Sequence, residues 1–273
     1  TGIVFRNIQH LSSMAGLDDV DQAVLAFAVV AHTNDSIDEF FRNNTLSSIE
    51  SVAAFLSKIF RVETSKLRQA LNPKSNLTSS GLLELDLDRY SGFPLQLRHG
   101  LENVLLREYE TQDDLAAVFF RPSPEATLTL DDFPHLGRKV HVAHQYLRAV
   151  CSQRTSGANV LLYGPPGTGK TQLARALAAA TRVPLYEVHT QDEDGDPRNS
   201  YDRFGAYMLC QRLLSGKNVS LVLFDEAEDV FPPVDNLAAL FRSRPTKAKG
   251  WTNPLLEENT APATWATNDD HHI

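Results

Sequence analysis

An α/β fold with a parallel sheet between flanking helices, preceded by a mainly α-helical domain, is predicted by three features of the sequence. The first is a glycine-rich loop, Gly164-Pro165-Pro166-Gly167-Thr168-Gly169-Lys170-Thr171, set between an apolar run and an Ala- and Leu-rich run. The second is Val219-Ser220-Leu221-Val222-Leu223-Phe224, which ends in Asp225-Glu226 and reads as a central parallel strand covered by helices on both faces. The third is a series of helix-start signals upstream, closed by Arg121-Pro122-Ser123-Pro124, a linker by its proline content. They divide the chain into a helical domain over 1–121, a linker over 122–130 and an α/β core over 131–273.

In the helical domain, Asp18-Asp19 begin a helix over Val20 to Ala31, since a carboxylate at the N-cap accepts from the first free N–H groups. Ser47-Ser48-Ile49-Glu50 reads as a capping box opening a helix from Ile49 to Phe60. A helix over Thr64 to Leu71 comes after a very short turn, Gly81 to Leu87 alternates like a single strand, and Asp113 to Phe120 closes the region. The pair of helices around residue 62 has helix-turn-helix spacing. In that reading Ser65, Lys66 and Arg68 face DNA and Gly81 to Leu87 is a wing. The alternative is a helical hairpin that packs or recruits a partner. Residues 1–130 carry 17 Asp and Glu against 11 Lys and Arg, and a net −6 opposes the phosphate neutralisation on which nucleic-acid affinity rests.

In the core, Lys139 to Ser152 is a predicted helix with Val140, Ala143, Leu147 and Val150 on one stripe. Val160 to Tyr163 is a short buried strand, and Thr171 to Ala180 a helix of good formers. Val183 to Val188 is a strand with Pro184 at its start, where proline is tolerated. An acidic loop, His189 to Pro197, leads to a helix over Phe204 to Leu214, and a short helix over Asp235 to Phe241 lies beyond the acidic strand. A last strand, Pro262 to Thr267, ends at Asn268-Asp269.

The glycine loop carries the chemistry. G-x-x-x-x-G-K-T between a strand and a helix aims successive N–H groups, and the positive helix end, at one point where phosphate oxygens satisfy both. Gly164, Pro165, Pro166, Gly167, Thr168, Gly169, Lys170, Thr171 and Gln172 are therefore the candidate nucleotide-binding residues, with Lys170 on the β- and γ-phosphates and the Thr171 hydroxyl on Mg²⁺. Asp225, at a strand's C-terminal end where ligands bind in open α/β sheets, is the second candidate for Mg²⁺. Glu226 is the candidate base for the water attacking the γ-phosphate. Glu228 and Asp229 read as caps of the next turn rather than metal ligands.

In the GPPGTGKT form of the loop, the apolar-Asp-Glu strand and the strand ending Thr267-Asn268, the chain from about Leu130 onward resembles the AAA+ ATPases. The resemblance is to a bacterial-type member with a helical N-terminal domain, cut off after sensor 1. It implies ATP and Mg²⁺ as ligands, Asn268 as the sensor 1 residue beside Lys170 and Glu226, and ATP hydrolysis coupled to remodelling or assembling a protein partner within a homo-oligomeric ring. It also implies that Thr129 to Leu136 runs beside the adenine pocket and that Leu255 to Glu258 forms the helix before the sensor strand. The alternative function is an ATP-dependent switch whose helical domain binds DNA or a regulatory partner. Two departures stand out. Where protein-threading members carry an aromatic–hydrophobic–glycine element, this chain has Gln191-Asp192-Glu193-Asp194-Gly195-Asp196-Pro197. This is a solvated charge run or an acidic pore loop that would repel nucleic acid. After Asn268 only five residues remain, too few for a fifth strand, arginine finger or lid, and Arg242 and Arg244 precede the sensor strand. The chain is thus expected to bind ATP and turn it over slowly.

Composition agrees with ordinary globular material: 273 residues, 42% apolar, 22% charged, net −8. The longest apolar stretch, Ala23 to Ala31, is too short to span a bilayer. Two cysteines, Cys151 and Cys210, give no disulfide framework; both read as core residues, and a cytoplasmic location is expected.

Overall fold

The computed structural model describes residues 2–44, 46–87, 92–98, 100–191, 195–215, 219–230 and 256–268. The chain divides into two compact units, Thr1–Val118 and Phe119–Ile273.

The first unit contains α1 (Gly2–Ala15), α2 (Asp19–Thr33), α3 (Asp35–Asn43), α4 (Ile49–Phe60), α5 (Thr64–Ala70), α6 (Asn76–Ser79), β1 (Leu83–Leu85), β2 (Leu95–Leu97), α7 (Leu101–Leu106) and α8 (Gln112–Ala116). Asp18 caps α2, accepting from the N–H groups of Val20 and Asp21 at 2.8 and 2.9 Å. The capping box of α4 pairs Ser48 with Ser51, not Ser47 with Glu50, because the helix begins one residue later than the Ser-x-x-Glu spacing suggests. Gly81 to Leu87 holds the strand its alternation suggests, shortened to Leu83–Leu85. β1 pairs antiparallel with β2, Glu84 opposite Gln96, because a lone strand leaves its N–H and C=O groups unpaired. Leu25, Ala28, Val52, Leu56, Leu67 and Leu71 are buried. Phe41 meets Phe93 at 4.5 Å and Phe55 at 5.1 Å between ring centroids. The buried amide of Asn7 ties α1 to α7 by donating to the carbonyls of Leu105 and Arg107. Helices α4 and α5 do pack together, but Arg68 is turned to Glu50 at 3.4 Å.

The second unit holds β3 (Phe120–Pro122), α9 (Arg138–Gln153), β4 (Asn159–Tyr163), α10 (Lys170–Thr181), β5 (Leu185–Val188), α11 (Ser200–Leu214), β6 (Leu221–Phe224) and β7 (Ala263–Thr267), with 3-10 turns at Leu130–Asp132, Pro134–Leu136 and Ala227–Asp229. The sheet order is β3-β5-β6-β7-β4. β3 is antiparallel to β5 and the other pairs are parallel. Arg121 and Pro122, read as linker, thus form an outer strand. Pro122 is tolerated there because an edge strand need not donate every N–H. On one face α9 and α10 press Leu147, Val150, Leu173 and Leu177 against Leu221, Leu223 and Ala266. On the other, Tyr207 of α11 meets Trp265 at 4.9 Å and Phe204 stacks on Phe224 at 5.9 Å. Cys151 and Cys210 are both free and buried, and burial raises both thiol pKa values.

Val160 to Tyr163 is not buried as its apolar run suggests. Among the described residues β4 pairs on one side only, with β7, and Leu161 and Tyr163 are 41% and 59% exposed. The expected helix at 235–241, Arg242, Arg244, Leu255 and everything after Asn268 lie outside the described residues, as do Asp192, Glu193 and Asp194 of the acidic loop. The two ends of that loop meet in a bridge between Gln191 and Pro197. No described helix is long and apolar enough to cross a membrane.

The turn entering β7 is held by buried amides. Asn259 donates to the carbonyls of Ala158 and Ala261 at 3.0 and 2.9 Å. Gln211 of α11 holds Ala261 at both its N–H and its carbonyl. Gly157 passes this turn so closely that a Cβ would lie 2.5 Å from the Glu257 carbonyl oxygen, and its φ is +73°. Gly157→Ala should therefore cost about 1–3 kcal/mol, the usual range for a strained backbone position. A thermal melt should show it as a fall of about 2–4 °C per kcal/mol; an unchanged midpoint would mean that the turn is not seated against Gly157.

Candidate functional site

Strands β4, β6 and β7 end side by side, and the candidate residues sit just past the three ends. After Tyr163 the chain turns through the glycine loop into α10. Gly169 adopts φ +84° one residue before that helix, and a Cβ there would touch the buried Phe133 ring at 3.5 Å. The left-handed conformation favours glycine, while the Phe133 contact is at ordinary packing distance. The Thr168 hydroxyl closes the loop on the Pro165 carbonyl at 2.9 Å. Lys170 opens α10, and its ammonium donates to the carbonyls of Gly164 (2.8 Å) and Pro165 (3.0 Å) and to Asn268 Oδ1 (2.8 Å). The first helical N–H groups have no intrahelical partner, which leaves those of Lys170, Thr171 and Gln172 facing the loop. The Gln172 side-chain Oε1 accepts from the Thr127 hydroxyl at 3.2 Å.

Thr171 and Asp225 come together across the sheet. The Thr171 hydroxyl donates to Asp225 Oδ2 at 2.5 Å, while Asp225 Oδ1 accepts the Glu226 N–H at 3.0 Å. A hydroxyl and a carboxylate converging beside a phosphate-type loop match the oxygen donors that Mg²⁺ prefers, completed by substrate phosphates and water. Glu226 is exposed, and its backbone is left-handed at φ 51°. Thr129 and Asp132 form a reciprocal cap beside the loop, at 2.7 and 2.9 Å. The N–H and hydroxyl of Thr129 hold the Asp132 carboxyl below its ordinary pKa.

Glu228, read from the sequence as a cap, has a more specific role. Its carboxylate accepts from the backbone N–H of Asn268 at 3.1 Å and from the Asn268 side-chain amide. The Asn268 carboxamide is thereby oriented, with its nitrogen toward Glu228 and its oxygen toward Lys170. Burial would raise the Glu228 pKa, but hydrogen bonds from its own N–H, the Asn268 N–H, the Thr267 hydroxyl and the Asn268 amide outweigh it and leave the pKa lowered. Arg203, fully buried on α11, reaches the backbone of Asp225 and Glu226 from behind. No sequence signal marks Arg203; for Glu228 the only hint is a third acid two residues after Glu226.

Residues 160–247 match the model of the ATPase family associated with various cellular activities, AAA. Among curated proteins, the chain is 49% identical over 51 residues to the ATP-dependent zinc metalloprotease FtsH of Mycobacterium leprae, covering 17% of this chain and 6% of that protein. It is 33% identical over 140 residues to FtsH 1 of Symbiobacterium thermophilum, covering 47% and 21%. It is 26% identical over 140 residues to the Holliday junction branch migration complex subunit RuvB of Mycoplasma pneumoniae, covering 50% and 43%. The chain thus matches only a minor part of each relative's length. Of solved structures, that of the FIGL-1 AAA domain in complex with ADP aligns with a TM-score of 0.38 at 16% identity, over 60% of this chain and 56% of that one. A structure of katanin self-assembly aligns at 0.37 and 20% identity, over 59% and 54%.

Lys170→Ala should abolish binding of a non-hydrolysable ATP analogue without unfolding the chain, because the half-buried side chain contacts only loop carbonyls and Asn268. Calorimetry on wild type and variant decides it, and equal affinity would overturn the loop assignment. A second expectation concerns acid. A carboxyl with a lowered folded pKa stabilises the fold above its ordinary pKa and loses that contribution as pH falls through the lowered value. The stability difference between wild type and Glu228→Gln should therefore shrink on acidification below about pH 4.3, the ordinary Glu value. A difference that stayed constant from pH 7 to pH 3 would show that the Glu228 charge does not hold Asn268.

Proposed function

We propose that the chain is an AAA+ ATPase, a reading supported by the match of residues 160–247 to that family's model, and that it binds Mg-ATP at the glycine loop and hydrolyses it to drive remodelling or assembly of a protein partner. The observation that carries this reading is the meeting of Thr171 with Asp225 and of Lys170 with Asn268 at the ends of three neighbouring parallel strands. The loop N–H groups and Lys170 would hold the β- and γ-phosphates, exchanging the loop carbonyls for phosphate oxygens. Thr171 and Asp225 would hold Mg²⁺, which when bound neutralises charge on the phosphate oxygens. Glu226, one residue beyond Asp225 and exposed, accepts a proton from the attacking water. Asn268, fixed by Glu228, positions that water from the adjoining strand.

A ring of identical subunits, a cytoplasmic location and the protein nature of the partner belong to the same proposal. Support for a protein over a nucleic acid comes from charge, since the helical region carries net −6 and Arg68 in its helix pair faces Glu50. A pull-down with the full-length protein carrying Glu226→Gln, which should trap the ATP-bound assembly, identifies the partner. Recovery of nucleic acid alone would overturn the protein-remodelling reading.

Glu226→Gln should keep Mg-ATP binding and lose about 10²–10⁴ in hydrolysis rate, the usual worth of a positioned base. Asp225→Asn should instead weaken the Mg²⁺ dependence of binding. Steady-state turnover and analogue titrations with and without Mg²⁺ separate the two. Wild-type turnover by Glu226→Gln would place the activating acid elsewhere.

A further inference from the structure

Glu226 stands apart in its backbone. Four non-glycine residues among those described have positive φ: Arg61, Arg154, Arg182 and Glu226. The first three are the residues at which α4, α9 and α10 end, where a left-handed residue is the common way to close a helix. Glu226 ends no helix. A non-glycine residue in this region is strained and persists only when its surroundings over-determine it.

Arg203 is what surrounds it. The residue is 0% exposed, Nη1 donates to the Glu226 carbonyl at 2.9 Å, and Nη2 donates to the Asp225 carbonyl. Its guanidinium lies over the Phe224 ring at 4.5 Å from the centroid. Both carbonyls lie beyond the last residue of β6. A buried cation is expensive unless paired and hydrogen-bonded, and a core position needing only volume is filled as well by an apolar side chain. A planar fork of donors meets the requirement that two successive carbonyls be gripped at once.

We propose that Arg203 is a positioning residue for ATP hydrolysis. It grips the carbonyls of Asp225 and Glu226 from inside the protein, holds Glu226 in its left-handed conformation, and so fixes the direction in which the Glu226 carboxylate leaves the backbone. This role rests on Glu226 acting as the base. Arg203 is buried behind the end of β6 and acts through Glu226.

The test is a double-mutant cycle in the full-length protein, read by steady-state and single-turnover ATP hydrolysis, with analogue binding used to count folded sites. Arg203→Lys keeps the charge but not the fork. It should lower kcat about 10- to 100-fold, in line with the cost of a misplaced catalytic group, while KM for ATP and analogue affinity stay within about twofold. In a Glu226→Gln background the same change should cost nothing further, because there is no base left to aim. Arg203→Gln, neutral and with a single amide, should behave like Arg203→Lys. Wild-type kcat in Arg203→Lys, or an equal loss with and without Glu226, would overturn the proposal. Failure of both Arg203 variants to fold would make the residue a core element only and would also overturn it. Undiminished hydrolysis by Glu226→Gln alone would instead sink the assignment of the base, and the proposal with it.

Discussion

The parallel register of β6, β7 and β4 is the constraint on which everything else depends. Phe224 lies opposite Trp265, and Tyr163 opposite Thr267, so β4 and β7 end level while β6 stops two residues short of them, leaving Asp225 and Glu226 to run alongside the end of β7. The segments leaving those ends are therefore close in space although distant in sequence: the glycine loop after Tyr163, the acidic pair after Phe224, Asn268 after Thr267. Side chains alternate faces along a strand, so a slip of one residue would turn Phe224 and Trp265 away from α11. It would also carry Asp225 away from Thr171. The same packing that buries the aromatic cluster under α11 thus sets the 2.5 Å approach of the Thr171 hydroxyl to Asp225.

Around this frame, buried polar side chains do the fastening that strand pairing cannot. Asn259 and Gln211 secure the turn entering β7. Arg203 secures the two residues leaving β6, and Glu228 secures the residue leaving β7. Each grips backbone groups at or just beyond the end of a strand. Unpaired buried backbone groups are costly, so these contacts stabilise the fold and orient the site at once. Lys170 is arranged differently: its partners are two loop carbonyls and a half-shared amide, all weaker acceptors than a phosphate oxygen.

The glycine loop, the acidic strand end and the sensor strand were legible in the sequence because each is local. A loop conformation comes from glycine, a strand from its apolar run, and a helix start from the residues that cap it. Those features single out Lys170, Thr171, Asp225, Glu226 and Asn268 without any knowledge of contacts. The strand at 83–85 needed a partner at 95–97, the linker at 121–122 became an outer strand, and the run Val160 to Tyr163 lies half in the open. Those outcomes depend on which segments lie next to one another, and composition within a segment does not carry that information.

The sequence by itself determined which residues make up the candidate site, because a glycine loop between strand and helix is a backbone turn that only a few residues can form. Tertiary structure alone decided how the residues of that site are aimed. Glu228 is an ordinary acid until the end of β7 arrives beside it, and Arg203 an ordinary arginine until α11 folds it beneath Asp225 and Glu226. A side chain whose role is to hold another residue's backbone makes its contacts across long stretches of chain, 22 and 23 positions for Arg203 and 40 for Glu228. Neither periodicity nor motif reaches that far; only the packed sheet and helix bring such pairs within a hydrogen bond.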